Sequence, residues 1–352
     1  AVESTQAIYP NDVISLAIPS AEGLASTIDT LLSQPTSMVE QAKQALQWVQ
    51  QFSWHGAGEA FEQALIDRLT EQKPTTTEAG ENPSATRKEQ AEPQYKASIV
   101  VPTYNAGPIL TQVLKAIEEQ HTPWEFQCVF IDSGSSDQTL DYLEDFARNH
   151  HDVSLHQINK ENFQHGYTRN QGVAWSDAEF VAFITQDAIP ANPDWLYNLV
   201  TALEHNPKAA GAFGRHIAHD GADRFERDEL INHFQGFDQF PVALSLSSNQ
   251  DLVKNNDQGW RKVLHFYSDN NSCLRKSAWE KTPLPCVPYG EDQLWAETII
   301  RRGHEKLYVK DAVVKHSHRY SRDETYERSK TEADFFGTCF NYRFHQTPLE
   351  MY

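Results

Sequence analysis

From Ala97 onward the chain repeats one pattern, and that pattern leaves few folds open. Short apolar runs rich in β-branched residues alternate with stretches of helical periodicity. Ala97 to Val101 reads as a strand ending at Pro102, Ile109 to Gln120 as a helix, and Phe126 to Ile131 as a second buried strand. Gln138 to Asn149 is predicted as a helix, Val153 to Ile158 and Phe180 to Ile184 as strands, and Pro193 to His205 as a further helix. The alternation predicts an α/β domain with a mostly parallel central sheet flanked by helices. Ligands of such sheets bind outside the carboxyl ends of the strands, so the residues just after each apolar run carry the functional question.

The rest of the chain differs in kind. Within residues 1–72, Ala21 to Leu32, Met38 to Phe52 and Ala57 to Leu69 carry apolar residues at helical spacing. Residues 73–94 hold almost no large apolar side chain and read as a flexible linker, because too little surface can be buried to offset the ordering entropy. The expected organisation is a small helical segment (1–72), a disordered linker (73–94) and the α/β domain (95–352). At 352 residues the chain exceeds what one core usually supports.

Composition narrows the partners. A formal net charge of −19 argues against nucleic acid, which needs clustered Lys and Arg, but leaves room for a single nucleotide in a local pocket. No apolar run approaches the twenty or so residues of a membrane span, and no signal peptide is visible. The start at Ala1 without an initiator Met is what a piece of a longer protein would show. The cysteines Cys128, Cys273, Cys286 and Cys339 form no CxxC pair, which disfavours zinc and suits a reducing, cytoplasmic setting.

Three polar clusters follow the strands: Pro102-Thr103-Tyr104-Asn105, then Asp132-Ser133-Gly134-Ser135-Ser136-Asp137, then Thr185-Gln186-Asp187. Each has a bland reading: the second is also a good helix N-cap and the third a plain turn. Their recurrence at equivalent positions favours a site. No Gly-rich dinucleotide or P-loop pattern follows the first strand.

These segments, with Gly166-Tyr-Thr-Arg-Asn-Gln-Gly172, Gln186-Asp187 and Gly290-Glu-Asp292, resemble glycosyltransferase family 2 in order and spacing over about 250 residues. Phe163-Gln-His-Gly166, Thr185-Gln-Asp-Ala188 and His316-Ser-His318 resemble its bacterial rhamnosyltransferase branch. The resemblance implies a GT-A fold and an inverting hexosyl transfer from a dTDP- or UDP-linked donor, dTDP-L-rhamnose on the branch match. The acceptor would be a growing bacterial polysaccharide or lipid-linked glycan. Peripheral association with the inner face of the membrane would follow.

The resemblance also implies roles. Pro102, Thr103, Tyr104, Asn105, Asp132, Ser133 and Gln186 would line the nucleotide pocket, with Asp132 accepting the N3–H of uracil or thymine. Arg169 would neutralise pyrophosphate or hold the base through its planar fork; the plain alternative is a surface salt bridge. Asp187 would hold Mn²⁺ or Mg²⁺, although Thr185 stands where the family usually has the first carboxylate of Asp-x-Asp. His316 and His318 are further candidate ligands; their i, i+2 spacing points them oppositely on an extended chain, so one of them, His316 by preference, is expected at the metal. Asp292, with Glu291 beside it, is the expected general base, unless both merely cap the helix predicted over Gln293 to Arg301. Asp269 and Asn270 would face donor or acceptor sugar, or stabilise a turn, and Trp295 would either offer a flat face to a sugar ring or pack in the core.

Residues 1–72 resemble the C-terminal end of a family 4, GT-B glycosyltransferase, through Pro10-Asn-Asp-Val-Ile-Ser-Leu16 and Phe52-Ser-Trp54. That would place a further transferase module before this chain; an ordinary helical accessory domain is the alternative. Two other functions compete. A non-catalytic nucleotide-sugar- or glycan-binding module would tolerate the incomplete Asp-x-Asp. A nucleotidyltransferase would need a Gly-rich, basic loop that Asn105-Ala-Gly107 does not supply.

Overall fold

The computed structural model describes residues 93–342. The chain divides into two units, residues 1–88 and 89–352. The expected N-terminal helices and all of the linker except its last two residues lie outside the described part, as does the family 4 resemblance.

The elements run in the order β1 (Tyr95–Thr103), α1 (Ile109–Glu118), β2 (Phe126–Asp132), α2 (Thr139–Asn149), β3 (Val153–Gln157), α3 (His165–Trp175), β4 (Ala178–Ile184), β5 (Ile189–Pro190), α4 (Trp195–His205) and β6 (Ala209–Ile217). They continue with α5 (Arg224–Asp238), β7 (Ala243–Leu244), α6 (Gln250–Lys254), α7 (Gln258–His265), β8 (Asn271–Arg275), α8 (Lys276–Trp279), α9 (Glu291–Arg301), β9 (Glu305–Lys315) and α10 (Arg322–Phe340).

The sheet order is β3-β2-β1-β4-β8-β6-β9-β5, with β7 added on β9. The first four strands are parallel, as the alternation predicts. Beyond them β6 and β9 also pair in parallel and, across β8, run in the sense of β1, so most of the sheet is parallel as expected, with β5, β7 and β8 as the exceptions. β8 runs antiparallel to both β4 and β6, and β5 and β7 run antiparallel to β9, so the sheet is mixed. The chain reaches β8 through the α5–α7 excursion rather than through a right-handed βαβ crossover, which frees its direction.

Strand periodicity distributes the core over two faces. Ile99, Val101, Cys128 and Phe130 pack with α1 and α4 on one side, through Leu110, Val113, Ile117, Trp195 and Leu199. Val100, Val129 and Ile131 face α3 and α9 on the other, against Val173, Trp295 and Ile299. Each such side chain contributes about 1.5–3 kcal/mol on full burial. The parallel pairing sets Thr103 opposite Asp132 at the carboxyl ends of β1 and β2, and β4 ends beside them one residue before Thr185.

Close approach of α3 fixes the rest of the frame. A Cβ on Gly166 would lie 2.1 Å from the Pro285 carbonyl oxygen, so only glycine lets the first turn of α3 rest against the segment leading into α9. This contact brings Arg169 of α3 alongside the start of α9.

Candidate active site

The strand ends open into a cleft of about 480 Å³ lined by Thr103, Tyr104, Ser133, Arg169, Gln186, Asp187, Asn270, Glu291, Asp292, His316 and His318, among others. Most residues singled out from sequence meet here. Four do not line it.

Asp132 is fully buried. Its Oδ1 accepts from the Gly134 and Ser135 amides at 3.0 and 2.9 Å, and its Oδ2 from Thr103 Oγ1 and Ser135 Oγ at 3.1 and 2.5 Å. Its acceptor sites are spent on the loop, so the neighbouring Ser133 is the β2 residue that reaches the cleft. Asn105 is also a loop residue: it sits at φ 46° and its Oδ1 accepts from the Ser136 amide at 2.8 Å. Trp295 is a core residue, 0% exposed, with Nε1 donating to the Thr282 carbonyl at 2.7 Å, which removes it as a sugar platform. Asp269 is 2% exposed and faces Arg169, so it stands behind the cleft lining rather than in it.

Gln186 clamps the β1 side of the cleft. Its Oε1 accepts from the Tyr104 amide at 2.7 Å and its Nε2 donates to the Tyr104 carbonyl at 3.1 Å, joining the ends of β1 and β4. Thr185, in place of the missing carboxylate, is half-buried, with its hydroxyl oxygen shielded and unpaired.

Asp187, His316 and His318 bring three ligand atoms within 4.8 Å of one another. Asp187 Oδ2 lies 3.8 Å from His316 Nε2 and 3.5 Å from His318 Nε2, and the two imidazole nitrogens are 3.0 Å apart. The expectation that only one histidine faces this point is corrected. β9 ends at Lys315, so strand alternation no longer governs the two positions and both rings turn inward. Burial holds His316 down at about 4, in the neutral form that binds metals. Two nitrogens and a carboxylate oxygen fit a divalent transition ion better than Mg²⁺, which prefers oxygen.

Glu291 and Asp292 open α9 after Gly290, whose φ of 72° makes the sharp entry. Arg169 is not a surface residue. It is 4% exposed, its Nη1 lies 2.6 Å from Glu291 Oε1, and its Nε is 3.6 Å from Asp269 Oδ2. Asp292 Oδ2 accepts from the Asp269 amide at 3.3 Å, and Oδ1 from the Gln293 amide at 2.7 Å. Burial first, then Glu291 and Asp269, push the Asp292 carboxyl well above the usual carboxylate range. Burial also raises Asp269 to about 6, opposed by Arg169. One arginine therefore serves three clustered carboxylates.

The sequence reading missed Tyr289, Tyr320 and Arg328, which also line the cleft. Arg328 lies within a long polar stretch whose pattern carries no site signal.

Comparison with known proteins agrees with this geometry. Residues 98–282 match the model of Glycosyl transferase family 2. The O-antigen chain rhamnosyltransferase RfbN of Salmonella typhimurium is 34% identical over 238 residues, 66% of this chain and 70% of that protein. The O-antigen chain rhamnosyltransferase WbaN of Salmonella anatum is 29% identical over 66% of this chain and 69% of that protein. The mannosyltransferase PcManGT of Pyrobaculum calidifontis, solved in complex with GDP-Man and Mn²⁺, superposes with a TM-score of 0.52 at 17% identity, over 72% of this chain and 66% of that one. With its strand-end motifs gathered in one cleft and more than half of its length matched, the chain belongs to glycosyltransferase family 2 and is a glycosyltransferase of the GT-A fold.

Proposed function

We propose that this transferase acts with inversion, moving L-rhamnose from dTDP-L-rhamnose to a growing bacterial polysaccharide or lipid-linked glycan. The observation that carries the reading is a single cleft lined both by the Asp187–His316–His318 trio and by a carboxylate of raised proton affinity, Asp292. The sugar assignment draws its support from the two Salmonella relatives.

Asp187, His316 and His318 would hold Mn²⁺, or Mg²⁺ less well. Such an ion supplies positive charge next to the departing diphosphate. Thr103, Tyr104, Ser133 and Gln186 receive the nucleoside, and Asn270 faces the sugars. Asp292 takes the proton of the acceptor hydroxyl as that oxygen attacks the anomeric carbon. The bond from this carbon to the diphosphate oxygen breaks, and its electron pair leaves with the nucleoside diphosphate. Attack opposite the leaving group inverts the configuration. A carboxylate of raised proton affinity is the better base near neutral pH. Arg169 is paired with Glu291 at 2.6 Å, which leaves Asp292 as the carboxylate without an ion-pair partner among the described residues and free to accept the proton.

The test is nucleoside diphosphate release from a panel of sugar nucleotides including dTDP-L-rhamnose, with a glycan acceptor and with Mn²⁺, Mg²⁺ or EDTA. Release from dTDP-L-rhamnose that EDTA abolishes is expected. Release from a different donor would overturn the sugar assignment, and undiminished release in EDTA would overturn the metal.

A further inference from the structure

We infer that Arg328, on α10, is a ligand of the donor's diphosphate, held in place by a stripe of α10 that abuts the turn carrying the base. The inference rests on the nucleotide-sugar reading above and names a residue for one part of that substrate.

Charge in the cleft points to it. Among the described residues that line the cleft, two carry a permanent positive charge, Arg169 and Arg328. Arg169 is buried and committed to Glu291 at 2.6 Å. Arg328 is 49% exposed, and its ion pair with Glu332, at 3.8 Å and one helical turn away, is the solvent-exposed kind that contributes little. The Arg328 guanidinium lies 4.4 Å from the Tyr320 ring centre, and that ring stacks on His318 at 5.3 Å. Arg328 is thus one aromatic ring away from the candidate metal ligands, where the diphosphate must sit if a metal is to share it. A planar fork of donors matches two phosphate oxygens and adds charge where the leaving group gains it.

Helical spacing explains how the side chain is held. Arg328, Glu332 and Phe335 stand at i, i+4 and i+7 on one face of α10. Tyr289 Oη donates to Glu332 Oε1 at 3.1 Å. The Phe335 ring covers Gly290 so closely that a Cβ there would fall 2.2 Å from Phe335 Cζ. The two residues after Gly290 are Glu291 and Asp292. The capping box of Ser321 and Glu324 fixes the start of the helix. α10 therefore spans from the histidine side of the cleft to the base turn, with Arg328 between.

The test measures binding of dTDP and UDP against dTMP and UMP in Mn²⁺, by calorimetry, on the full chain. Losing one charge-assisted contact to the second phosphate should weaken the diphosphates by about tenfold or more in Arg328→Ala, and the monophosphates by less than about twofold. Arg328→Lys should recover part of the loss. Lys330→Ala, on the same helix and outside the cleft, should change neither class. Phe335→Ala, which frees the helix from Gly290 without touching the guanidinium, should lose part of the preference for diphosphate over monophosphate, and Phe335→Leu should restore it. Equal weakening of both nucleotide classes in Arg328→Ala, or none, would overturn the Arg328 assignment alone. Absence of diphosphate binding to the unaltered chain would overturn that assignment and the nucleotide-sugar reading together.

Discussion

Arg169 Nη1 stands 2.6 Å from Glu291 Oε1, and the two side chains are 4% and 7% exposed. The pair ties α3 to the first residue of α9 across 122 positions of sequence. Removing one partner strands a buried charge, which typically costs about 3–5 kcal/mol. Arg169→Met should therefore lower stability by that order in urea unfolding. Arg169→Met with Glu291→Met should recover part of the loss, because Glu291 is then no longer stranded while Asp269 still lacks its counter-charge. A single variant with an unshifted urea midpoint would show that the pair carries no such charge.

Asp292 is held above the usual carboxylate range, by burial first and then by Glu291 and Asp269. Only its deprotonated form accepts a proton, so turnover should be low in acid and rise with pH through that elevated value. Glu291→Gln removes a neighbouring negative charge and should move the rise to lower pH. Asp292→Asn should cut kcat by about 10²–10⁴ while nucleotide binding persists. Full activity in that variant would remove Asp292 as the base.

Asp269 titrates at about 6 in the folded chain, above its ordinary value of 3.8. The folded state thus holds this proton more tightly than the unfolded state does. The stabilisation is complete below pH 3.8 and is lost as pH rises through about 6, a term on the order of 1–3 kcal/mol. Unfolding free energies measured between pH 4 and 7 should fall less steeply in Asp269→Asn than in the unaltered chain. Identical slopes would assign the titration elsewhere.

Asp187, His316 and His318 should act as a unit toward Mn²⁺. Alanine at any one of them should weaken binding by more than about tenfold, as seen in calorimetry or by loss of the free-ion electron paramagnetic signal. If His318→Ala binds as tightly as the unaltered chain, the second histidine is not a ligand.

Trp295 offers a contrast, because its place is purely in the core. Trp295→Ala should cost about 3–5 kcal/mol, seen as a lower urea midpoint, with the donor preference of the folded fraction unchanged. A switched donor preference would return Trp295 to the sugar site.

Local pattern was enough for β1 to β4 and for α1, α2 and α4, because each buries one face and shows it as period 2 or 3.6, whereas α3 buries Gly166, Thr168, Arg169, Gly172 and Val173 and shows no apolar stripe. The same periodicity located Thr103, Ser133 and Asp187 at strand ends. β8 had no such signature: Asn271–Arg275 is half polar, and its partners β4 and β6 lie far away in sequence. Asp132 and Asn105 look like ligand-binding residues by type, yet the loop uses their acceptors for its own amides.

The strands β1 to β4, the helices α1, α2 and α4 and the placing of polar clusters, Asp187 among them, at the strand ends follow from the sequence alone, since hydrophobic period is a local property. Tertiary structure decided the antiparallel strands β5, β7 and β8 and the burial of Trp295 and Asp269. It also decided the pairing of Arg169 with Glu291, the convergence of both histidines on Asp187 and the placing of Arg328 in the cleft. Each of these joins groups distant in sequence or lying where strand periodicity has ended, and the free energy that selects them comes from long-range packing and charge pairing.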